Sequence, residues 1–206
     1  MNCLHGNTPM ASDFHTHIPH PGKTELLDNG RGKGPLWSLS FHPWYTAELP
    51  QISAEEFERC SAVGEIGFDK CRKDTIPQER QLNIFTSLLK AADEHKKPVV
   101  LHWLGAYDKL FQSVKNFSMP ILFHGYAKHN TELLNELLSR GFYVSISPRL
   151  AGAPEIKEFL KTHPGCRVGM ETDDRSDVEI EALYDSFNIP GFENAADEHF
   201  RNFLQI

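Results

Sequence analysis

Two histidines and a glutamate stand out because their positions suit metal binding. His15 and His17 lie two residues apart in DFHTH, and side chains with this spacing on a strand project to the same face, so both imidazoles can bind one cation. Glu65 lies between apolar residues in VGEIGFD. An unpaired charge there would be costly, and a metal ion would supply its partner.

Three further candidate ligands, His102, His124 and Asp173, each follow another apolar run. Taken singly, every candidate has an ordinary structural role: a histidine can be packed or solvated, Glu65 can pair with a neighbouring Arg or Lys, and Asp173 can cap a helix. Taken together, the six residues predict a site for one or two divalent cations. Nitrogen and oxygen ligands without thiolate suit Zn²⁺, Mn²⁺, Ni²⁺ or Fe²⁺, whereas four imidazoles disfavour a site for Mg²⁺ alone.

The elements that position these residues are indicated by the periodicity of the apolar residues. Seven apolar runs are predicted to be buried strands, at residues 13–17, 36–41, 61–66, 98–103, 121–125, 142–147 and 166–172. Amphipathic helices are predicted at 76–97 and 130–140, and a closing helix at 192–204. The segment from Pro19 to Pro35 is rich in Gly and Pro and is predicted to be an irregular loop.

This alternation of strands and helices implies parallel strands with crossover helices. One alternative is a doubly wound sheet, which binds ligands mainly at one switch point and commonly with a glycine-rich turn, absent from this sequence. The candidate ligands follow several different strands, as is typical of the C-terminal end of a barrel. We therefore expect an α/β fold, a TIM-like (β/α) barrel of about seven parallel strands, in one domain spanning residues 1–206.

Composition and charge limit the classes of function. Hydrophobic residues make up 40% and charged residues 24% of the chain, as in an ordinary folded globular protein. The net charge of −7 argues against a broad basic surface for nucleic acid, so an anionic substrate would need the local charge of bound cations. With no apolar run long enough to span a membrane and four scattered cysteines (Cys3, Cys60, Cys71 and Cys166), we expect a cytoplasmic protein with reduced thiols.

Seven motifs in this order, DFHTH, SFHPW, VGEIGFD, VVLHW, ILFHGY, GFYVSIS and METDD, resemble the TatD family of metal-dependent deoxyribonucleases in the amidohydrolase superfamily. The resemblance spans most of the chain. It implies two cation positions that share Glu65, one completed by His15, His17 and Asp173 and the other by His102 and His124. It also implies hydrolysis of DNA or a small phosphate ester by a metal-activated water, with Glu65 and Asp173 as catalytic residues and Asp173 as the general base.

Two further residues are candidate substrate contacts. His42, in the H-P segment of the motif set, is expected to face the substrate or to support a ligand, or else to be a loop histidine beside Pro43. Lys128 could supply positive charge, although a lone exposed lysine is usually only solvated.

The sequence departs from the family pattern in three places. Only 24 residues separate His17 from His42, too few for a full helix and strand, so one βα unit is expected to be shortened or missing, with an open seam covered by the Gly- and Pro-rich loop. The basic residue that the family often carries soon after His102 is absent, since the chain reads Trp103, Leu104 and Gly105. The segment after Asp173 is also short.

Two other hypotheses stay open. The same metal site could act on an ester or amide that is not a nucleic acid, because a fold does not determine its substrate. Alternatively, the protein could bind metal without catalysis.

Overall fold

Among the residues that the computed structural model describes, 11–29, 34–72 and 74–206, eight parallel strands form a closed barrel. Their order around the barrel follows the sequence, and the last strand pairs with the first through Asp13 and Met170. The strands are β1 (Ser12–Thr16), β2 (Thr24–Asp28), β3 (Trp37–Leu39), β4 (Ala62–Asp69), β5 (Val99–Leu104), β6 (Ile121–Tyr126), β7 (Tyr143–Ile146) and β8 (Val168–Met170). The predicted TIM-like α/β barrel is thus confirmed.

Helices lie outside the strands. They are α1 (Ala54–Arg59), α2 (Gln78–Glu94), α3 (Tyr107–Val114), α4 (Glu132–Ser139), α5 (Pro154–Thr162), α6 (Ile180–Phe187) and α7 (Phe192–Leu204), with short 3-10 turns at Lys70–Arg72 and Pro148–Leu150. The three predicted helices correspond to α2, α4 and α7. In the described part of the chain, no helix is long and apolar enough to cross a membrane.

Strand β2 corrects the expectation for the Gly- and Pro-rich segment, which was predicted to be a loop. TELLD forms a strand between β1 and β3, so the barrel has eight strands and its seam is closed. Leu26 and Leu27 are buried, but two apolar residues between Glu25 and Asp28 are too short a pattern to reveal a strand. The shortened βα unit lacks its helix instead, because residues 17–23 connect β1 to β2 without one.

The join between β1 and β8 is reinforced by side chains from the last two helices. The Tyr184 hydroxyl of α6 donates to the Ser12 carbonyl at 2.8 Å and accepts from the Met170 N–H at 3.1 Å. From α7, Asp197 accepts from the Ser12 hydroxyl at 2.6 Å, and Phe200 packs on Phe14 with ring centroids 5.3 Å apart. Closure of the barrel therefore depends on α6 and α7 as well as on the strand pairing.

Gly67 allows β4 to approach β5 closely. Its φ is +150°, and a Cβ atom at this position would lie 1.9 Å from the carbonyl oxygen of His102. We expect Gly67→Ala to lower the free energy of unfolding by more than about 2 kcal/mol and to displace His102, because both the backbone and a rigid carbonyl must shift. Urea denaturation measures this loss.

The matched control for this prediction is Gly141→Ala. Gly141 follows α4 with a φ of +96°, and a Cβ atom there would have no neighbour within 4 Å. This variant has the cost of an unfavourable φ, about 1–2 kcal/mol, but not the clash. Equal losses in the two variants would mean that the contact with His102 contributes nothing.

Candidate metal centre

All six predicted ligands lie at one end of the barrel. His15, Glu65, His102 and His124 belong to β1, β4, β5 and β6; His17 directly follows β1, and Asp173 lies three residues after the end of β8. Parallel strands bring their C-terminal ends to the same rim, which is where barrels of this class carry their sites. The structure therefore brings together residues that are far apart in the sequence.

The carboxylate of Glu65 is the centre of the cluster. Its Oε1 lies 3.1 Å from His15 Nε2 and 2.9 Å from His17 Nε2. Its Oε2 lies 3.0 Å from His102 Nδ1 and 2.7 Å from His124 Nε2. The side chain is 1% exposed. Each oxygen of this buried carboxylate thus has its own close pair of imidazoles, within 3.1 Å.

Asp173 joins the Oε1 side of the cluster. Its Oδ1 lies 3.5 Å from His17 Nε2, and ligand atoms of His15, His17 and Asp173 lie within 4.8 Å of one another. The backbone holds this position, because Asp173 N–H donates to the His15 carbonyl and His17 N–H donates to the Asp173 carbonyl. The left-handed φ of +56° turns the chain at this residue, a conformation that Asp adopts more readily than most residues.

The two candidate substrate contacts lie in different places. His42 Nε2 lies 3.2 Å from His102 Nδ1 and 3.4 Å from Glu65 Oε2, so this histidine is part of the cluster. Lys128 Nζ instead lies 5.5 Å from the ring centroid of Tyr107.

Three carboxylates that the sequence analysis did not identify lie on the side of the histidines that is opposite to Glu65. Asp28 Oδ2 lies 3.4 Å from His17 Nδ1, Asp69 Oδ2 lies 3.5 Å from His102 Nε2, and Glu171 Oε2 lies 3.6 Å from His124 Nδ1. In each case the carboxylate faces the ring nitrogen that points away from Glu65. Such carboxylates orient the imidazole of a metal ligand and increase its basicity.

These supporting carboxylates are themselves held in place. Asp28 Oδ1 accepts from the Glu65 N–H at 3.1 Å and from the Ser38 hydroxyl at 3.0 Å. The Asp69 carboxylate accepts a hydrogen bond from Trp44 Nε1 at 2.7 Å. The backbone N–H of Asp69 donates to the side-chain oxygen of the buried Gln81 at 2.8 Å. Because of this network, small shifts of the supporting residues would be transmitted to the ligands.

The electrostatics follow from burying acids and imidazoles together. Burial raises the pKa of Glu65, but the positive charges of His124 and His15 outweigh it and hold this pKa well below its usual value. Burial lowers the pKa of His124, yet Glu65 and Glu171 raise it well above its usual value. For His17, burial is likewise outweighed by Asp28 and Glu65, and the pKa rises to about 10.

The residues fit a metal centre. His15, Glu65 and His124 are buried, so the nitrogens and oxygens that they turn toward one another need partners inside the cluster. Ring nitrogens of His102 and His124 also face each other at 3.3 Å. Imidazoles and carboxylates are the donors that Zn²⁺, Mn²⁺ and similar cations prefer, and a cation between the nitrogens would resolve their crowding.

Binding of metal should release protons. A pKa of about 10 keeps metal-free His17 protonated at pH 7, and a cation can bind Nε2 only after that proton leaves. We expect Zn²⁺ to displace about one proton or more per chain at pH 7, with the contribution of His17 vanishing above its raised pKa. Calorimetry in buffers of different ionisation enthalpy measures this number, which should fall in His17→Asn. Heats that do not depend on the buffer would contradict the prediction.

A cleft of about 490 Å³ opens beside the cluster. Its lining includes His102, His124 and Asp173, and also Arg149, which follows β7. The guanidinium of Arg149 forms no ion pair with any residue that the structure describes, whereas Arg175, also at the cleft, is bound at 2.7 Å by both carboxylate oxygens of Asp177. Arg149 follows an apolar run just as the histidines do, and this signal could have identified it.

The fold and the cluster define a class, barrel proteins with a histidine and carboxylate centre at the ends of their strands. The chain belongs to the TatD related DNase family, whose model matches residues 24–182.

Two curated relatives share part of the sequence. An uncharacterized metal-dependent hydrolase of Methanocaldococcus jannaschii is 34% identical over 111 residues, which cover 54% of this chain and 42% of that protein. The 3'-5' ssDNA/RNA exonuclease TatD of Klebsiella pneumoniae is 30% identical over 118 residues, covering 54% of this chain and 44% of that protein. The chain thus matches less than half the length of either relative.

Solved structures share the fold. YJJV, a TatD homologue from Escherichia coli K12, superposes with a TM-score of 0.74 at 16% identity and covers 95% of this chain and 98% of that chain. A TatD family hydrolase from Entamoeba histolytica gives 0.70 at 14% identity, covering 94% and 97%. At these identities, the likeness concerns the fold alone.

Proposed function

We propose that this protein is a divalent-metal-dependent phosphodiesterase of the TatD type that acts on DNA or a related phosphate ester. The observation that carries the proposal is the position of Glu65, whose two oxygens each have a separate close pair of imidazoles, within 3.1 Å. A single carboxylate in this position suits two neighbouring cations, and paired cations are typical of phosphoester hydrolysis.

The proposed ligands divide around Glu65. His15, His17 and Asp173 would hold one cation, and His102 and His124 the other, with Glu65 shared. When bound, such cations make water a stronger nucleophile and offset the charge of a phosphate.

Asp173 is the proposed general base. Its side chain is 31% exposed and lines the cleft, whereas the Glu65 carboxylate is enclosed by histidines. A base must reach both the attacking water and solvent, so that the proton can leave. Of the two carboxylates in the cluster, Asp173 is therefore the one that satisfies this requirement.

Arg149 is the proposed contact for the substrate phosphate. It replaces the basic residue that is missing after His102, and its free guanidinium suits a phosphate oxygen pair. We expect Arg149→Ala to raise KM about tenfold with little change in kcat. Added salt should reduce the difference in KM between this variant and the wild-type protein. Arg149→Lys should retain part of the affinity. Steady-state kinetics test this, with Arg59→Ala on α1 as the control, and an unchanged KM in Arg149→Ala would refute the assignment.

Two further observations support parts of the proposal. The Klebsiella relative is named as an exonuclease on single-stranded DNA and RNA, which supports a nucleic-acid substrate. Cys60, Cys71 and Cys166 are free thiols, in keeping with the proposed cytoplasmic location. Cys3 lies outside the described residues.

The test of the proposed function uses purified protein loaded with Mn²⁺ or Zn²⁺. Incubation with a labelled single-stranded oligonucleotide should release mononucleotides or short products, and a chelator should stop the reaction. A panel of carboxylate esters and amides runs in parallel. Turnover of esters or amides well above that of the oligonucleotide would favour the other hydrolase hypothesis, and no turnover with any metal would favour a metal-binding protein without catalysis.

A further inference from the structure

His42 differs from three of the histidines around it in what faces its outer ring nitrogen. The outer nitrogens of His17, His102 and His124 each face a carboxylate, at 3.4, 3.5 and 3.6 Å. His42 Nδ1 instead accepts a hydrogen bond from the backbone N–H of Trp44 at 3.1 Å. A carboxylate favours a proton on the nitrogen that faces it, whereas a donor requires a lone pair there.

This contact determines the tautomer of His42. Because Nδ1 carries the lone pair, the ring proton must lie on Nε2, and a protonated nitrogen cannot bind a cation. Yet Nε2 points into the cluster, 3.2 Å from His102 Nδ1 and 3.4 Å from Glu65 Oε2. His42 is thus a hydrogen-bond donor in the midst of metal-binding atoms.

The loop after β3 holds the ring in this orientation. The N–H groups of Tyr45 and Thr46 both donate to the His42 carbonyl, which closes a tight turn around Trp44. The indole of Trp44 donates to Asp69 at 2.7 Å and stacks under the guanidinium of Arg72 at 4.1 Å. The Trp44 N–H that sets the tautomer is therefore fixed, and the His42 ring is only 15% exposed.

We propose that His42 donates a hydrogen bond from Nε2 to a non-bridging oxygen of the substrate phosphate and is not a metal ligand. The inference rests on the proposed function, because the two nearby acceptors, His102 Nδ1 at 3.2 Å and Glu65 Oε2 at 3.4 Å, belong to residues that are assigned there to cations. With those lone pairs engaged, the Nε2–H needs another acceptor at the mouth of the cluster, and a phosphate oxygen is the acceptor that the proposed substrate brings. His42 is in this sense a catalytic residue that contacts substrate.

The first measurement is the tautomer itself. Long-range ¹H–¹⁵N correlation spectra of the Zn²⁺-loaded protein with labelled histidines should show His42 with its proton on Nε2, and its signal should be identified by its loss in His42→Gln. A His42 that is protonated on Nδ1 would overturn the proposal.

The second measurement compares metal content and phosphate binding in variants. His42→Ala should keep the full metal content of the wild-type protein but bind inorganic phosphate about tenfold more weakly. His42→Gln, which retains a side-chain N–H, should recover part of that affinity. His163→Ala, at the end of α5 and exposed, is the control and should match the wild-type protein.

These results separate the inference from the proposed function. Loss of one metal equivalent in His42→Ala would make His42 a ligand, and unchanged phosphate binding would remove its role as donor; either result overturns the proposal. Neither measurement depends on nuclease turnover. A protein that binds phosphate through His42 but cleaves no phosphodiester would refute the proposed function alone.

Discussion

Glu65→Gln is expected to remove most of the bound metal and to reduce phosphodiesterase activity by more than about 100-fold. Loss of a residue that merely supports a ligand typically costs 10- to 100-fold in metal affinity or activity, and Glu65 contacts four imidazoles directly. The amide keeps the shape of the side chain but removes the charge that balances them. Metal content after dialysis and kcat/KM on an oligonucleotide measure the two losses.

The control for this variant is Glu55→Gln on α1, whose side chain is 76% exposed and pairs only with Arg59 among the contacts of the described residues. It should retain the metal content and activity of the wild-type protein. Full metal content in Glu65→Gln, together with activity within about threefold of wild type, would contradict a shared carboxylate and with it the proposed pair of cations.

Asp173→Asn is expected to lower kcat by about 10²- to 10⁴-fold, the usual contribution of a positioned general base. The amide oxygen still faces His17, and the position formed by His102 and His124 does not include this residue, so at least that cation should remain. The measurement is kcat under saturating substrate, with metal content determined on the same sample. Asp185→Asn, at an exposed position of α6, serves as the control.

The outcomes for Asp173→Asn distinguish catalysis from binding. Loss of activity with metal retained would dismiss the hypothesis of a protein that binds metal without catalysis. Unchanged activity would show that Asp173 is not the base. Complete loss of metal would assign it a structural role at the centre.

The six clustered residues could be predicted from the sequence because each one follows an apolar run. In a parallel barrel, the C-terminal ends of all the strands lie at the same rim, and functional side chains are found there. The position of each residue after its apolar run is therefore enough to predict the cluster. The TatD resemblance then assigned the residues to two cation positions, and that assignment stays a proposal.

The residues that contact the clustered histidines from outside are harder to predict from the sequence. Asp69 lies four residues after Glu65 on the same strand, hence on the same face, and this spacing could have identified it. Glu171 precedes Asp173 by two residues in METDD, where the motif gives it no role of its own. Asp28 could not be found, because the strand that carries it was not recognised. The hydrogen bond from Trp44 to His42 depends on the conformation of a turn, which residue types alone do not determine.

The proposed metal position that contains Asp173 lies across the junction between β1 and β8. His15 and His17 belong to the first strand and its end, and Asp173 follows the last strand. The two chain segments are also joined by the pairing of β1 with β8, by hydrogen bonds from Thr172 to Asp13 and Thr16, and by Tyr184. A cation at this position would bind only when β1 and β8 are paired, so its binding energy would add to the stability of the folded barrel. Removal of the metal by a chelator should therefore lower the stability of the barrel as well as abolish activity. The cation would then have a structural role in addition to its role in hydrolysis.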